Sequence, residues 1–248
     1  MKKIFTIALM AVAALSANAQ YIQLHYDFGR NIYSNEEADR QKVTATLEQF
    51  KADDWGSWYY FFDVDLTSKT TRSIYTEISR EINLSKKLPL AAHVEYDGGL
   101  WHAPAIGNGS YQQAGLAGIA YNGHNADYSK TWSVQALYKQ FLKSYDGTRS
   151  YASFQLTGVW GLNFFDNKLT FSGFLDLWRG EKGGSYAPNE QGHGMLVLLT
   201  EPQLWYNVNK HLSVGTEVEI SNNFIVNYYN YNDKTFFVNP TLGVKWNL

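Results

Sequence analysis

From Ile22 onward apolar residues fall at every second position, Ile22, Leu24, Tyr26 and Phe28, with Gln23, His25 and Asp27 between them. A repeat of two is the signature of a strand with one apolar and one polar face. The pattern returns in Trp58, Tyr60, Phe62, Val64 and Leu66 against Tyr59, Phe61, Asp63 and Asp65. A slip of one residue would carry those carboxylates to the apolar face, so the register is strongly specified. Further runs set Ile74, Ile78 and Ile82 against Tyr75, Glu77 and Glu81, and Leu90, Ala92, Val94 and Tyr96 against His93, Glu95 and Asp97. Arg80 is the main exception on the apolar side.

The same alternation marks Trp132 to Tyr138, Phe154 to Trp160, Leu169 to Leu177 and Leu212 to Ile220. The last stretch sets Phe236, Val238, Leu242, Val244, Trp246 and Leu248 against Phe237, Asn239, Thr241, Lys245 and Asn247. With the weaker segments 43–50, 116–121 and 195–208 the total is about twelve strands, an even number as bacterial barrels require. Connections alternate in length. Short ones lie near 53–56, 85–87, 123–127, 165–167 and 209–210, and long ones near 31–41, 98–112, 143–150, 180–192 and 222–234; 68–70 is a short exception among the long set. The expectation is an all-β fold, a transmembrane antiparallel β-barrel formed by residues 20–248 as one domain. Strands of about ten residues tilted by roughly 40° span a bilayer, and closure pairs every edge. The short turns and both ends face the periplasm, and the long loops face outside.

The first residues point the same way. Lys2 and Lys3 precede an apolar run from Ile4 to Leu15, followed by Ala17, Asn18 and Ala19. A basic start, a short apolar stretch and a small-x-small site predict a secretory signal peptide, 1–19, cleaved to leave Gln20 first. Without the leader's two lysines the chain carries 19 basic and 23 acidic residues, a net charge of about −4, which excludes a nucleic-acid-binding footprint. There is no cysteine, hence no lipoprotein anchor and no disulfide framework. Aromatic residues make up 16%, with 18 Tyr and 8 Trp, yet mean hydropathy is −0.34 at 45% hydrophobic residues. A polar lumen inside an apolar, aromatic-girdled wall has that composition, as does a soluble β-sandwich; the periodicity and loop pattern favour the barrel.

From Leu47 the chain reads LEQFKADDWGSWYYFFDVDL, which resembles the second and third strands of the Tsx-like nucleoside-specific channel-forming porins, with shared landmarks Glu48, Phe50, Asp54, Trp55, Tyr59 and Asp63. The block YTEISREINL resembles that family's next strand at Glu77 and Ile78, and TLGVKWNL its closing strand. The resemblance covers the N-terminal third and, beyond it, mainly the strand spacing, as in an uncharacterised branch of the family. It implies a narrow outer-membrane channel, a twelve-stranded barrel whose lumen binds nucleosides weakly.

On this reading Glu48, Phe50, Tyr59, Phe61, Asp63, Tyr75 and Glu77 project inward from three consecutive strands and form the substrate-binding wall. A nucleoside presents a flat base and a ribose rich in hydroxyls, which suit aromatic stacking and carboxylate acceptors. The competing reading is that these residues fill a small barrel, their charge neutralised by inward cations such as Lys139 and Lys245. A hydrolase reading finds no nucleophile motif beside His25, His93 or His193. Metal binding by Glu77 and Glu81 or by Glu217 and Glu219 is the spacing of any polar strand face, and Gly107 to Gly109 is too short for a phosphate cradle. Trp101 and His102 carry no assigned role. The expectation is a monomeric Gram-negative outer-membrane protein, non-enzymatic and without cofactor or metal. Its partners are lipid and a small hydrophilic solute. The alternative is a non-conducting barrel binding a partner through loops such as 223–232.

Overall fold

The computed structural model describes residues 18–85, 87–103, 107–144, 148–181, 192–225 and 235–248. The expected leader lies outside these residues except for its last two, and the loop 223–232 lies outside them for the most part. The chain forms β1 (Asn18–Asp27), a one-turn α1 (Gly29–Ile32), β2 (Val43–Ala52), β3 (Gly56–Leu66), β4 (Thr71–Asn83) and β5 (Leu90–Ala103). It continues through β6 (Gly107–Ser110), β7 (Ala114–His124), β8 (Lys130–Phe141), β9 (Tyr151–Phe164) and β10 (Leu169–Glu181). The last elements are β11 (Gly194–Thr200), β12 (Gln203–Asn207), β13 (Leu212–Asn222) and β14 (Phe236–Asn247).

Successive strands pair antiparallel, and β14 returns to β1 with Tyr21 opposite Asn247 and Asp27 opposite Thr241. The ring is closed, so no edge is left unpaired in the wall. β11 and β12 are halves of one barrel strand. Thr200 faces Leu175 and Ile220, and Gln203 faces Ser172 and Glu217, the same register on both sides of Glu201 and Pro202. Pro202 supplies no N–H, which interrupts the ladder, but its carbonyl still accepts from the Val218 N–H at 3.0 Å. β6 is an arm folded back on the end of β5, with Leu100 opposite Ser110. What remains is a closed barrel of 12 antiparallel strands, as the periodicity predicts. One boundary differs: the loop expected from Gly98 begins only after Ala103. Gly98 and Gly99 still pair with Thr76 and Tyr75, and the strand runs on.

Side chains alternate as the pattern requires. Along β8, Thr131, Ser133, Gln135, Leu137 and Lys139 are buried inside, while Trp132, Val134, Ala136 and Tyr138 are exposed outside. An outer wall of Ile22, Leu24, Ile78, Val94, Val134 and Leu242 fully facing water would forfeit roughly 25 cal/mol for each Å² of apolar area. Two aromatic belts border it. Trp58, Tyr121, Trp132, Tyr206 and Trp246 lie near the short turns, and Tyr26, Tyr96, Tyr138, Phe154 and Phe236 nearer the long loops. Paired belts of this kind mark the two interfaces of a bilayer.

Arg80, the charge on the outer face, sits opposite Trp58 at the short-turn end. Its guanidinium lies 5.1 Å from the Trp58 ring centroid and pairs at 2.8 Å with Asp53 in the β2–β3 turn. The stem thus covers apolar wall while the charge reaches the interface. That hydrogen bond holds the Asp53 carboxyl below its usual range.

The loop between β1 and β2 folds inward. Phe28 N–H donates to Pro240 O at 3.0 Å, and the Tyr33 ring meets Phe237 edge to face at 5.2 Å. Arg40 bridges Asp27 at 2.8 Å and Glu219 at 3.0 Å, and Asn239 donates to Glu37 at 2.9 Å. The loop therefore lies along the inner face of β13 and β14 at the long-loop mouth.

Candidate functional site in the barrel interior

The seven wall residues expected from the sequence all face inward, and the strand register gathers them. Glu48 on β2 lies opposite Phe61 on β3, which lies opposite Glu77 on β4, which lies opposite Asp97 on β5. The adjacent rows are Phe50, Tyr59, Ser79 and Glu95, and Thr46, Asp63, Tyr75 and Gly99. Rings and carboxylates thus alternate across the wall. Tyr59 and Phe61 are 6.1 Å apart between centroids, Phe61 and Tyr75 6.0 Å, and Tyr75 and Tyr111 5.8 Å, a ladder climbing toward the β6–β7 connection. Tyr59, Phe61, Asp63, Tyr75 and Glu77 keep partial exposure, whereas Glu48 and Phe50 are buried. Asp63 accepts from Thr46 Oγ1 at 2.5 Å and Glu77 from Tyr75 OH at 2.9 Å.

A polar network occupies the next strands. His93 is held between Glu81 at 3.3 Å and Glu95 at 3.1 Å, and Asn122 donates to Glu81 at 2.7 Å. Lys139 donates to Asp97 at 2.9 Å and to Gln155 at 2.7 Å. Glu77, Glu95 and Asp97 each bring a carboxylate oxygen within 4.8 Å of one another, a grouping the sequence reading missed because Glu77 is on a different strand from the other two. The lysine already occupies one oxygen of that trio. Glu81 contacts His93 and accepts from Asn122, Glu217 accepts from Gln203, and Glu219 binds Arg40.

The two inward lysines behave differently. Lys139 forms the expected ion pair. Lys245 instead sits between aromatic faces, its ammonium 4.2 Å from the Trp205 centroid and 4.5 Å from that of Tyr21, with no hydrogen-bond acceptor among the described residues. The Trp205 indole donates to Gln203 at 2.8 Å and meets His25 edge-on at 5.6 Å. Gly215 and Gly243 are cross-strand partners beneath it, and a Cβ on either would press on the ring. His25 contacts Thr241 Oγ1 and Gln23 Oε1, each at 2.9 Å, and that hydroxyl also accepts from the Glu217 N–H, a fixed structural contact.

A model of one protein family matches residues 19–248. The chain belongs to the DUF5020 family, described as a domain of unknown function. No curated protein matches it in sequence. Among solved structures the DUF5020 barrel is similar to the NanC porin, with a TM-score of 0.57 and 12% identity over 93% of this chain and 100% of that one. LpxR from Salmonella typhimurium follows at a TM-score of 0.49 and 10% identity, covering 92% of this chain and 99% of that one. The KdgM porin has a TM-score of 0.46 and 10% identity over 92% and 98%. At such identities the likeness to the NanC porin is one of fold, and it agrees with the closed barrel described above.

Proposed function

We propose that this DUF5020 barrel is exported, loses its leader and sits in the outer membrane of a Gram-negative cell as a monomeric, non-enzymatic channel. It serves passive diffusion of small hydrophilic solutes, nucleosides first among them. The observation that carries the reading is the partly exposed ladder of Tyr59, Phe61 and Tyr75 with Asp63 and Glu77, on the inner wall of a closed barrel whose outer wall is apolar. Rings stack on a base and carboxylates accept from ribose hydroxyls. Permeation asks for binding strong enough to admit a solute and weak enough to release it. The resemblance of 47–66 to the nucleoside-channel family supports the choice of solute.

The packing of the short-turn half favours a second reading. There Trp205, Ala91, Thr170, Ser133 and Ser213 are at most 1% exposed, as in a filled barrel that acts through its outer loops. Uptake into proteoliposomes separates the two. Labelled nucleoside is expected to enter with saturation, and Phe61→Ala or Tyr75→Ala to raise the half-saturating concentration by roughly five- to a hundredfold, the loss of one stacking contact of about 1 to 3 kcal/mol. Equal, non-saturating entry of sugars and nucleosides in parent and variants would remove the nucleoside assignment. No entry at all would favour the filled barrel.

A further inference from the structure

The inward face is unevenly charged. Among the described strand residues, Lys139 and Lys245 are the lysines or arginines that point into the lumen; the β1–β2 loop adds Arg40. All three are committed: Lys139 to Asp97, Arg40 to Asp27 and Glu219, and Lys245 to the rings of Tyr21 and Trp205. Against them stand Asp63, Asp65, Glu77, Asp176, Glu201 and Glu217, which keep partial exposure and form no ion pair with a base among the described residues. Where hydrogen bonds hold them, the donors are neutral: Thr46 for Asp63, Thr44 and Ser73 for Asp65, Tyr75 for Glu77, Thr157 for Asp176 and Gln203 for Glu217.

A second feature is independent of that charge count. Oδ1 of Asp97 and Oε1 of Glu48, on inward side chains each 4% exposed, have no hydrogen-bond donor among the described residues. Both belong to the row that crosses the ring ladder at Phe61. The other oxygen of each is held, Glu48 Oε2 by the Gln23 amide at 3.4 Å and Asp97 Oδ2 by Lys139 at 2.9 Å, so this row carries carboxylate charge that its few donors only partly match.

We propose that the lumen selects for cations, and that the solutes it favours carry positive charge, with flat organic cations able to use the Tyr59, Phe61 and Tyr75 faces as well. Rings of Asp and Glu in a low-dielectric wall concentrate counter-ions and repel anions, and an aromatic face adds attraction for a cation. Cation selectivity rests on the channel reading and sharpens it, because a neutral nucleoside would gain only the hydrogen bonds and stacking.

The test is the zero-current potential across a planar bilayer holding the purified full barrel, with a tenfold potassium chloride gradient. The expected permeability ratio of potassium to chloride is about tenfold. Asp63→Asn, Asp65→Asn and Glu201→Gln combined should bring the ratio toward one. A ratio at or below one in the parent protein overturns the proposal while leaving the channel standing. So does a ratio unchanged in a variant that still carries current. Absence of current from the parent overturns the channel reading and the selectivity with it. The parent measurement decides the question whether or not the variant folds.

Discussion

Trp205 shows what one residue can do in this wall. It lies across β13 and β14, over two glycines, and brings its ring to Lys245 and His25. Gly215 is there because any side chain would collide: a Cβ would lie 2.2 Å from the Leu204 carbonyl oxygen and 2.7 Å from the indole. Gly215→Val should therefore cost about 1 to 3 kcal/mol of overpacking, read as a lower guanidinium midpoint in detergent. Gly115, with nothing within 4 Å of the same position, should tolerate Ala, and equal midpoints for the two variants would contradict the packing described. The role of Trp205 is hard to find in the sequence. In QLWYN the buried Trp205 stands between the exposed Leu204 and Tyr206, three large apolar residues in a row, so the repeat of two is masked where it matters. Phe61 and Asp63, by contrast, stand on a strand whose other face is distinct, and their inward orientation is legible from the pattern alone.

At the scale of elements, the β1–β2 loop is held by charge as well as by the Tyr33 ring on Phe237. Arg40 gathers Asp27 and Glu219, and Glu37 is buried against Asn239. Removing the guanidinium would leave carboxylates facing each other in a poorly solvated mouth, a loss of up to about 3 to 5 kcal/mol. Arg40→Ala should therefore release the loop, and protease added outside sealed proteoliposomes should cut within 28–42 many times faster than in the parent. Unchanged cleavage would mean that the Phe28 N–H bond to Pro240 and the Tyr33 hydroxyl, which accepts from the Val238 N–H at 3.2 Å, suffice to hold it. None of this was legible in the sequence, because Arg40 and Glu219 are 179 residues apart and nothing local marks them as partners. The strands themselves were legible, since each carries its own alternation. The Pro202 interruption and the β6 arm lie where pairing partners, not local pattern, decide the outcome.

The whole molecule follows from one constraint: twelve strands with opposite polarity on their faces satisfy every backbone group in lipid only if the sheet closes. Strand count, loop alternation and the inward set were readable because that constraint acts on every residue of the wall. The state of the lumen was not, because filling depends on side chains meeting across the barrel. Residues such as Trp205, Lys245 and Tyr21 converge from both ends of the chain at the short-turn half. That packing makes conduction the claim most worth testing. The direct measurement is single-channel recording of the full barrel in a planar bilayer, with heat-dependent gel mobility confirming that the inserted protein is folded. Discrete conductance steps are expected, larger in Trp205→Ala. A folded barrel that inserts and stays silent, in the parent and in that variant, would contradict the channel reading.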